Sequence, residues 1–175
     1  MGRMCKLVVV LALAGAVTVG SANTAGAVGH HAIHVTGSAN GPATLTLGDK
    51  GCDYRVTSKG TVVANTGTGT YKADLCATWK SMKSDGSSVY AVTGSYSSTV
   101  PAGTLRGNVS GAATLAWDGD TTYYENNITI HVTGGTKAYS HATGVLRIKG
   151  DSELESTSPE IELWNDLTFS GTVRV

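Results

Sequence analysis

The chain has 175 residues, with 13 Lys and Arg against 13 Asp and Glu and a formal net charge of zero. That balance argues against nucleic acid or an anionic membrane surface as the main partner, since both reward a concentrated positive field. With 41% hydrophobic residues and 15% charged, the composition is that of a folded domain.

Residues 1–6, MGRMCK, carry Arg3 and Lys6 and lead straight into the apolar run LVVVLALAGAVTV. The run is too short to cross a bilayer, which takes roughly 20 apolar residues, and has the length of a signal-peptide core. Small residues follow in SANTAGA, where Ala25 and Ala27 form an A-x-A cleavage site. The pattern predicts a secretory signal over residues 1–27, a mature chain beginning at Val28, and an extracellular protein. Cys5 precedes the apolar core and is misplaced for lipid attachment at the cleavage point. Nothing else in the sequence is apolar for long enough to span a membrane. Removal of residues 1–27 leaves 148 residues, with 11 basic against 13 acidic once Arg3 and Lys6 are gone. No stretch of composition marks a linker, so residues 28–175 are read as one domain with a short flexible N-terminus.

Cleavage at Val28 would make His30 the third residue of the mature protein. A free amine, two backbone amides and an imidazole suit the planar nitrogen arrangement that Cu(II) or Ni(II) prefers. His31 and His34 stand nearby as further imidazoles, and no other cofactor is implied.

From here the sequence has period two. Candidate strands are 31–36, 43–47, 53–57, 61–64, 71–79, 88–95, 104–109, 113–117, 127–132, 145–149, 160–164 and 167–174. In ATLTL, Ala43, Leu45 and Leu47 alternate with Thr44 and Thr46. In YKADLCATW, the set Tyr71, Ala73, Leu75, Ala77 and Trp79 shares one face. In NITIHV, Ile128, Ile130 and Val132 oppose Thr129 and His131. Such alternation is that of strands with one buried face. Gly, Asp, Asn and Ser punctuate them in GDKG, NTGTG, SDGS, DGD and KGDS, and no window carries a helical stripe.

Cys52 and Cys76 remain after cleavage and, outside the cell, have one possible intrachain pairing. No CxxC, CxH or neighbouring histidine supports zinc or thiol catalysis there. Ten to twelve short strands must hide their edges, by closing into an antiparallel barrel or by pairing two sheets in a sandwich. Gly94, Gly107, Gly111 and Gly171, inside the strands, suit the bends and close backbone approaches of a small barrel, which is preferred.

Residues 130–146, IHVTGGTKAYSHATGVL, resemble a segment of the dirigent and allene oxide cyclase families and their bacterial barrel-like relatives, followed later by FSGTV at 169–173. The matching positions are Gly134, Gly135, Thr136, Tyr139, Ala142 and Gly144, under a fifth of the chain. Lys137 stands where those families usually have glycine, and His141 falls inside the turn. The resemblance implies an eight-stranded barrel with an apolar cavity that acts on small hydrophobic molecules. It carries no catalytic residue onto this chain. By their own chemistry the same residues form a hairpin, with the glycines supplying freedom in φ.

No G-x-S-x-G, H-E-x-x-H, P-loop or G-x-G-x-x-G motif is present. Asp118 and Asp120 in DGD lack the other ligands of a calcium loop and are read as a turn. Glu160 and Glu162 share a face as a catalytic pair would, but a solvated edge is the preferred reading. No catalytic residue is assigned, and the reading leans away from an enzyme.

Seven Tyr and three Trp stand against a single Phe. Rings with a polar edge suit cavity mouths, sugar platforms and protein interfaces. Trp79 and Trp117 lie in phase with apolar neighbours and are expected in the core. Tyr123, Tyr124, Tyr139 and Trp164 are the candidate binding surface, with at least one of Tyr123 and Tyr124 facing outward. The preferred function is a secreted, non-enzymatic binding protein that recognises an extracellular protein or glycan. The alternative is a barrel enzyme or carrier for a small apolar compound. A lumen packed solid would remove the alternative; an open apolar lumen with converging polar groups would favour it.

Overall fold

A computed structural model describes residues 31–157 and 160–175. Eight strands follow in chain order: β1 (Ala32–Leu47), β2 (Tyr54–Ala64), β3 (Gly67–Met82), β4 (Ser88–Val100), β5 (Gly103–Trp117), β6 (Thr122–Gly135), β7 (Thr143–Ser156) and β8 (Ile161–Arg174). Each pairs antiparallel with the next, and β8 returns to pair with β1, closing a barrel. The expected barrel is present and the sandwich is excluded. Closure leaves no unpaired sheet edge, so the acidic segment is not edge protection as expected: Glu162 lies exposed on the outer wall and Glu160, also exposed, just precedes β8.

The strands are fewer and longer than the sequence suggested. Segments 31–36 and 43–47 are one strand, as are 53–57 with 61–64, 104–109 with 113–117, and 160–164 with 167–174. The glycines and small polar residues between them bend a continuous strand instead of ending it. At Gly94, with φ +153°, a Cβ would lie 2.8 Å from Leu75 Cα; at Gly111, with φ +157°, it would lie 2.7 Å from Ile128 Cα. Neither place tolerates a side chain, and the absence of one lets β4 and β5 curve against their neighbours. Gly107 and Gly171, also expected at close approaches, face Ile130 and Leu146 at similar range.

The alternation puts Val35, Val62, Val92, Val109, Ile130 and Phe169 inside and Lys59, Lys72, Asp74, Glu125 and Lys149 outside. An apolar interior within a polar wall is the reverse of a lipid-facing barrel. The two ends differ. At one end, a 3-10 turn over Lys137–Tyr139 folds the β6–β7 connection across the β4–β5 hairpin, with Ala138 N donating to Ala102 O at 3.2 Å and Thr136 N to Thr104 O at 2.8 Å. This turn drives Tyr139 (4% exposed) and Ala142 (0%) into the barrel against Leu105, Leu146 and Phe169, closing that end. Lys137 adopts φ 53° in the turn, the left-handed conformation that glycine accepts most easily. Both ends of the described chain meet here, where Val175 N donates to His31 O at 3.1 Å.

At the opposite end, Cys52 in the β1–β2 connection is bonded to Cys76 on β3, with Cα atoms 5.4 Å apart. The same loop is held by Trp79 N donating to Asp53 Oδ2 at 2.6 Å and Thr78 Oγ1 to Gly51 O at 3.1 Å. The sequence-predicted disulfide therefore fixes a loop at the rim of the barrel.

Candidate functional site

The lumen is not packed solid. A cavity of about 90 Å³ runs along the barrel axis. An enclosed apolar cavity that admits benzene measures roughly 150 Å³, so this space takes a very small molecule whole, or one end of a larger molecule that extends through the mouth. It exists because the inward positions of β1, β3 and β5 carry Ala39, Ala43, Ala73, Ala77 and Ala113 where larger side chains would meet at the axis. Valine, leucine and isoleucine supply most of the remaining wall.

Five polar side chains from five strands interrupt this wall and bond to one another. Asn126 Nδ2 on β6 donates to Ser152 Oγ on β7 at 2.8 Å and to Tyr124 O at 3.1 Å. Ser152 Oγ donates to Asn165 Oδ1 on β8 at 2.6 Å. Asn165 Nδ2 donates to Ser58 Oγ on β2 at 2.9 Å and lies 3.4 Å from Tyr71 Oη on β3. Ser58 Oγ lies 3.0 Å from Tyr71 Oη and 3.3 Å from Pro42 O. Ser58, Tyr71, Ser152 and Asn165 are all at least nine-tenths buried. Such groups are stable inside only with their hydrogen bonds made, and no buried side-chain nitrogen or oxygen lacks a partner among the described residues.

Tyrosines mark both sides of this belt. Below it, toward the closed end, Tyr96 stacks on Tyr71 with ring centroids 6.2 Å apart; burial, opposed by a hydrogen bond with Ser98, pushes the Tyr96 hydroxyl up to about 12. Above it, Tyr90 meets Tyr54 and Tyr124 edge to face at 5.9 and 6.3 Å. Burial, followed by the neighbouring Tyr90 and Tyr54, pushes Tyr124 up to about 12. These three half-buried rings form the mouth, and a shallower depression bounded by Leu47, Asp53, Thr78 and Trp79 continues from it.

The rim corrects two expectations. Trp79 and Trp117, expected in the core, are 52% and 72% exposed, and Leu47, in phase with buried Ala43 and Leu45, is 86% exposed. Their phase is inward, but they lie beyond the last layer of the lumen, where no opposite wall remains to cover them. With Met82 they crown the mouth.

The four expected surface aromatics are not brought together. Tyr139 is buried in the plug at the closed end, because the 3-10 turn inverts its direction. Tyr124 points into the lumen and its neighbour Tyr123 outward, as alternation requires. Tyr123 stands opposite Glu153, and Glu153 opposite Trp164, so Tyr123 and Trp164 share one row of the outer wall two strands apart.

His30 lies outside the described residues; His31 and His34 are exposed at the closed end. Among the described residues no three His, Cys, Asp or Glu side chains are grouped to hold a metal. Asp118 Oδ1 accepts from Thr121 N at 2.9 Å and Asp120 N at 3.2 Å, the turn that was expected, and these backbone donors lower its pKa.

Sequence reasoning missed the polar belt. Its signal was present as a polar residue in apolar phase: Asn165 between Leu163 and Leu167, Ser58 between Val56 and Val62, Ser152 between Ile148 and Leu154. A comparison with family models, curated proteins and solved structures finds no match to this chain.

Proposed function

We propose that the protein acts outside the cell as a binding or carrier protein for a small, largely apolar molecule held in the barrel lumen. The observation that carries this reading is the alanine-lined cavity, with tyrosines at its mouth and a hydrogen-bonded polar belt in its wall. Apolar concavity with a few placed polar groups is the usual form of a small-molecule site. The export pattern and the disulfide support the location. Titration of the mature protein with isopropylbenzene, followed by amide NMR, tests it. Saturable shifts at lumen residues such as Ala77, Ala113 and Ile130 are expected; none at the solubility limit overturns the proposal.

The outer row of Tyr123, Glu153 and Trp164, with Trp164 47% exposed, favours a second reading, recognition of an extracellular protein or glycan. Loss of partner capture from culture medium on Trp164→Ala, with lumen binding retained, would support it.

A further inference from the structure

Resting on the lumen reading, we infer that the ligand is a neutral molecule carrying one hydrogen-bond acceptor, and that Tyr71 is the residue that donates to it.

The neutrality follows from the wall. Among the described residues, no Asp, Glu, His, Lys or Arg lines the cavity. A charged group entering it would leave water with no counter-charge, at a cost that apolar contact does not offset.

The acceptor follows from counting hydrogens in the belt. Both amide hydrogens of Asn126 are used, on Ser152 Oγ and Tyr124 O, and the single hydrogen of Ser152 is on Asn165 Oδ1. The amide hydrogens of Asn165 face Ser58 Oγ and Tyr71 Oη. Only the pair Ser58 and Tyr71 has a choice. If Ser58 donates to Pro42 O at 3.3 Å, Tyr71 donates to Ser58 at 3.0 Å and the belt is closed on itself. If Ser58 rotates its hydrogen onto Tyr71 Oη, the same 3.0 Å contact persists with its polarity reversed. The Tyr71 hydrogen is then free to point into the lumen, while its oxygen accepts from Ser58 and Asn165. Rotation of these two hydroxyl hydrogens thus changes the belt from self-satisfied, when the lumen is empty, to offering one donor when an acceptor arrives. No heavy atom needs to move, and Tyr71 stays stacked on Tyr96.

Acetophenone, isopropylbenzene and benzoate share a ring and nearly a shape; they differ in offering a neutral acceptor, no acceptor and a charge. Their affinities for the mature protein are measured by calorimetry or NMR, in wild type, Tyr71→Phe and Ser58→Ala. In wild type, benzoate is expected to bind at least tenfold more weakly than acetophenone; a smaller gap overturns the claim of neutrality. Tyr71→Phe keeps the ring and removes the donor, so the affinity for acetophenone relative to isopropylbenzene should fall about fivefold, the size of one net hydrogen bond. A fall under twofold overturns the role of Tyr71. Ser58→Ala removes the competing acceptor and should hold or raise the same ratio. A fall there also overturns the proposal, which keeps it falsifiable should Tyr71→Phe not fold. Binding of isopropylbenzene with no selectivity among variants would defeat this inference and leave the lumen reading standing. Failure of both neutral compounds to bind would defeat both.

Discussion

Asn165 on β8 donates to Ser58 on β2 at 2.9 Å across 107 positions of sequence, passing over β1, which lies between them in the barrel. The bond is possible because β1 places Gly41 opposite Asn165 and Ala43 opposite Ser58. A larger side chain at Ala43 would crowd this contact from β1, whereas a Cβ at Gly41 would lie 2.7 Å from Gly60 Cα and press on the β2 backbone. The contact therefore joins three strands and sets the height of the polar belt in the lumen.

Asn165→Leu should destabilise the protein by about 2–4 kcal/mol. It leaves Ser152 Oγ without its acceptor and removes a donor from Ser58 and Tyr71, and each buried polar group left unpaired costs roughly 1–3 kcal/mol. Urea denaturation at constant slope measures this. A change under about 0.5 kcal/mol would mean that the belt adds nothing to stability.

Ala113→Phe should abolish binding of isopropylbenzene while the barrel remains folded. Ala113 is 7% exposed and part of the lumen wall, so the added ring occupies the space the ligand needs. Overpacking costs about 1–3 kcal/mol, less where a cavity receives the added atoms. Retained binding with a folded circular dichroism spectrum would place the ligand elsewhere.

Replacing Cys52 and Cys76 together by alanine should cost about 3 kcal/mol. The bond closes a loop with a sequence separation of 24, and the chain-entropy account gives this size for such a loop. Thermal unfolding of the variant against wild type tests it. The greatest loss of amide protection is expected in the Gly48–Asp53 loop, which the bond ties to β3 at the rim.

Lys137→Gly should leave stability unchanged or raise it by up to about 1 kcal/mol. Lys137 holds φ 53°, where a Cβ costs roughly 1–2 kcal/mol, partly offset by the extra freedom of glycine in the unfolded chain. Equilibrium unfolding reads the sign; a loss above 1 kcal/mol would show that the Lys137 side chain contributes more than its conformation costs.

Stability should be insensitive to Tyr96 below pH 10 and fall as pH rises from 10 toward 12. Its folded pKa is about 12 because burial disfavours the phenolate, whereas the unfolded residue ionises near 10. Between those values the unfolded state holds fewer protons and gains relative to the folded one, by up to about 3 kcal/mol at pH 12. Denaturation across this window should show the slope, and Tyr96→Phe should reduce it by the share of Tyr96 while leaving that of Tyr124, whose folded pKa is also raised to about 12.

Much of the architecture was legible because a strand with one buried face leaves a mark of period two. The sets 71–77 and 128–132 point inward as their alternation required, and the disulfide pairs the only two cysteines of residues 28–175. The strand count was not legible, since glycine at Gly41, Gly60 or Gly111 looks the same in sequence whether it ends a strand or bends one. Exposure of Trp79 and Trp117 was hidden for a related reason: phase tells which way a residue points, and only the length of the barrel tells whether anything faces it there. Tyr139 failed because a 3-10 turn has no period two to read.

The sequence by itself determined the period, the polarity of the two faces and the one disulfide of an all-β domain, because these depend on residues near one another or on the absence of any other partner. Tertiary structure alone decided that the alanines of three strands face a common axis and leave a cavity, and that Ser58, Tyr71, Asn126, Ser152 and Asn165 meet there. That outcome depends on barrel closure and strand register, which bring these five residues together although Ser58 and Asn165 stand 107 positions apart, and which no local pattern records.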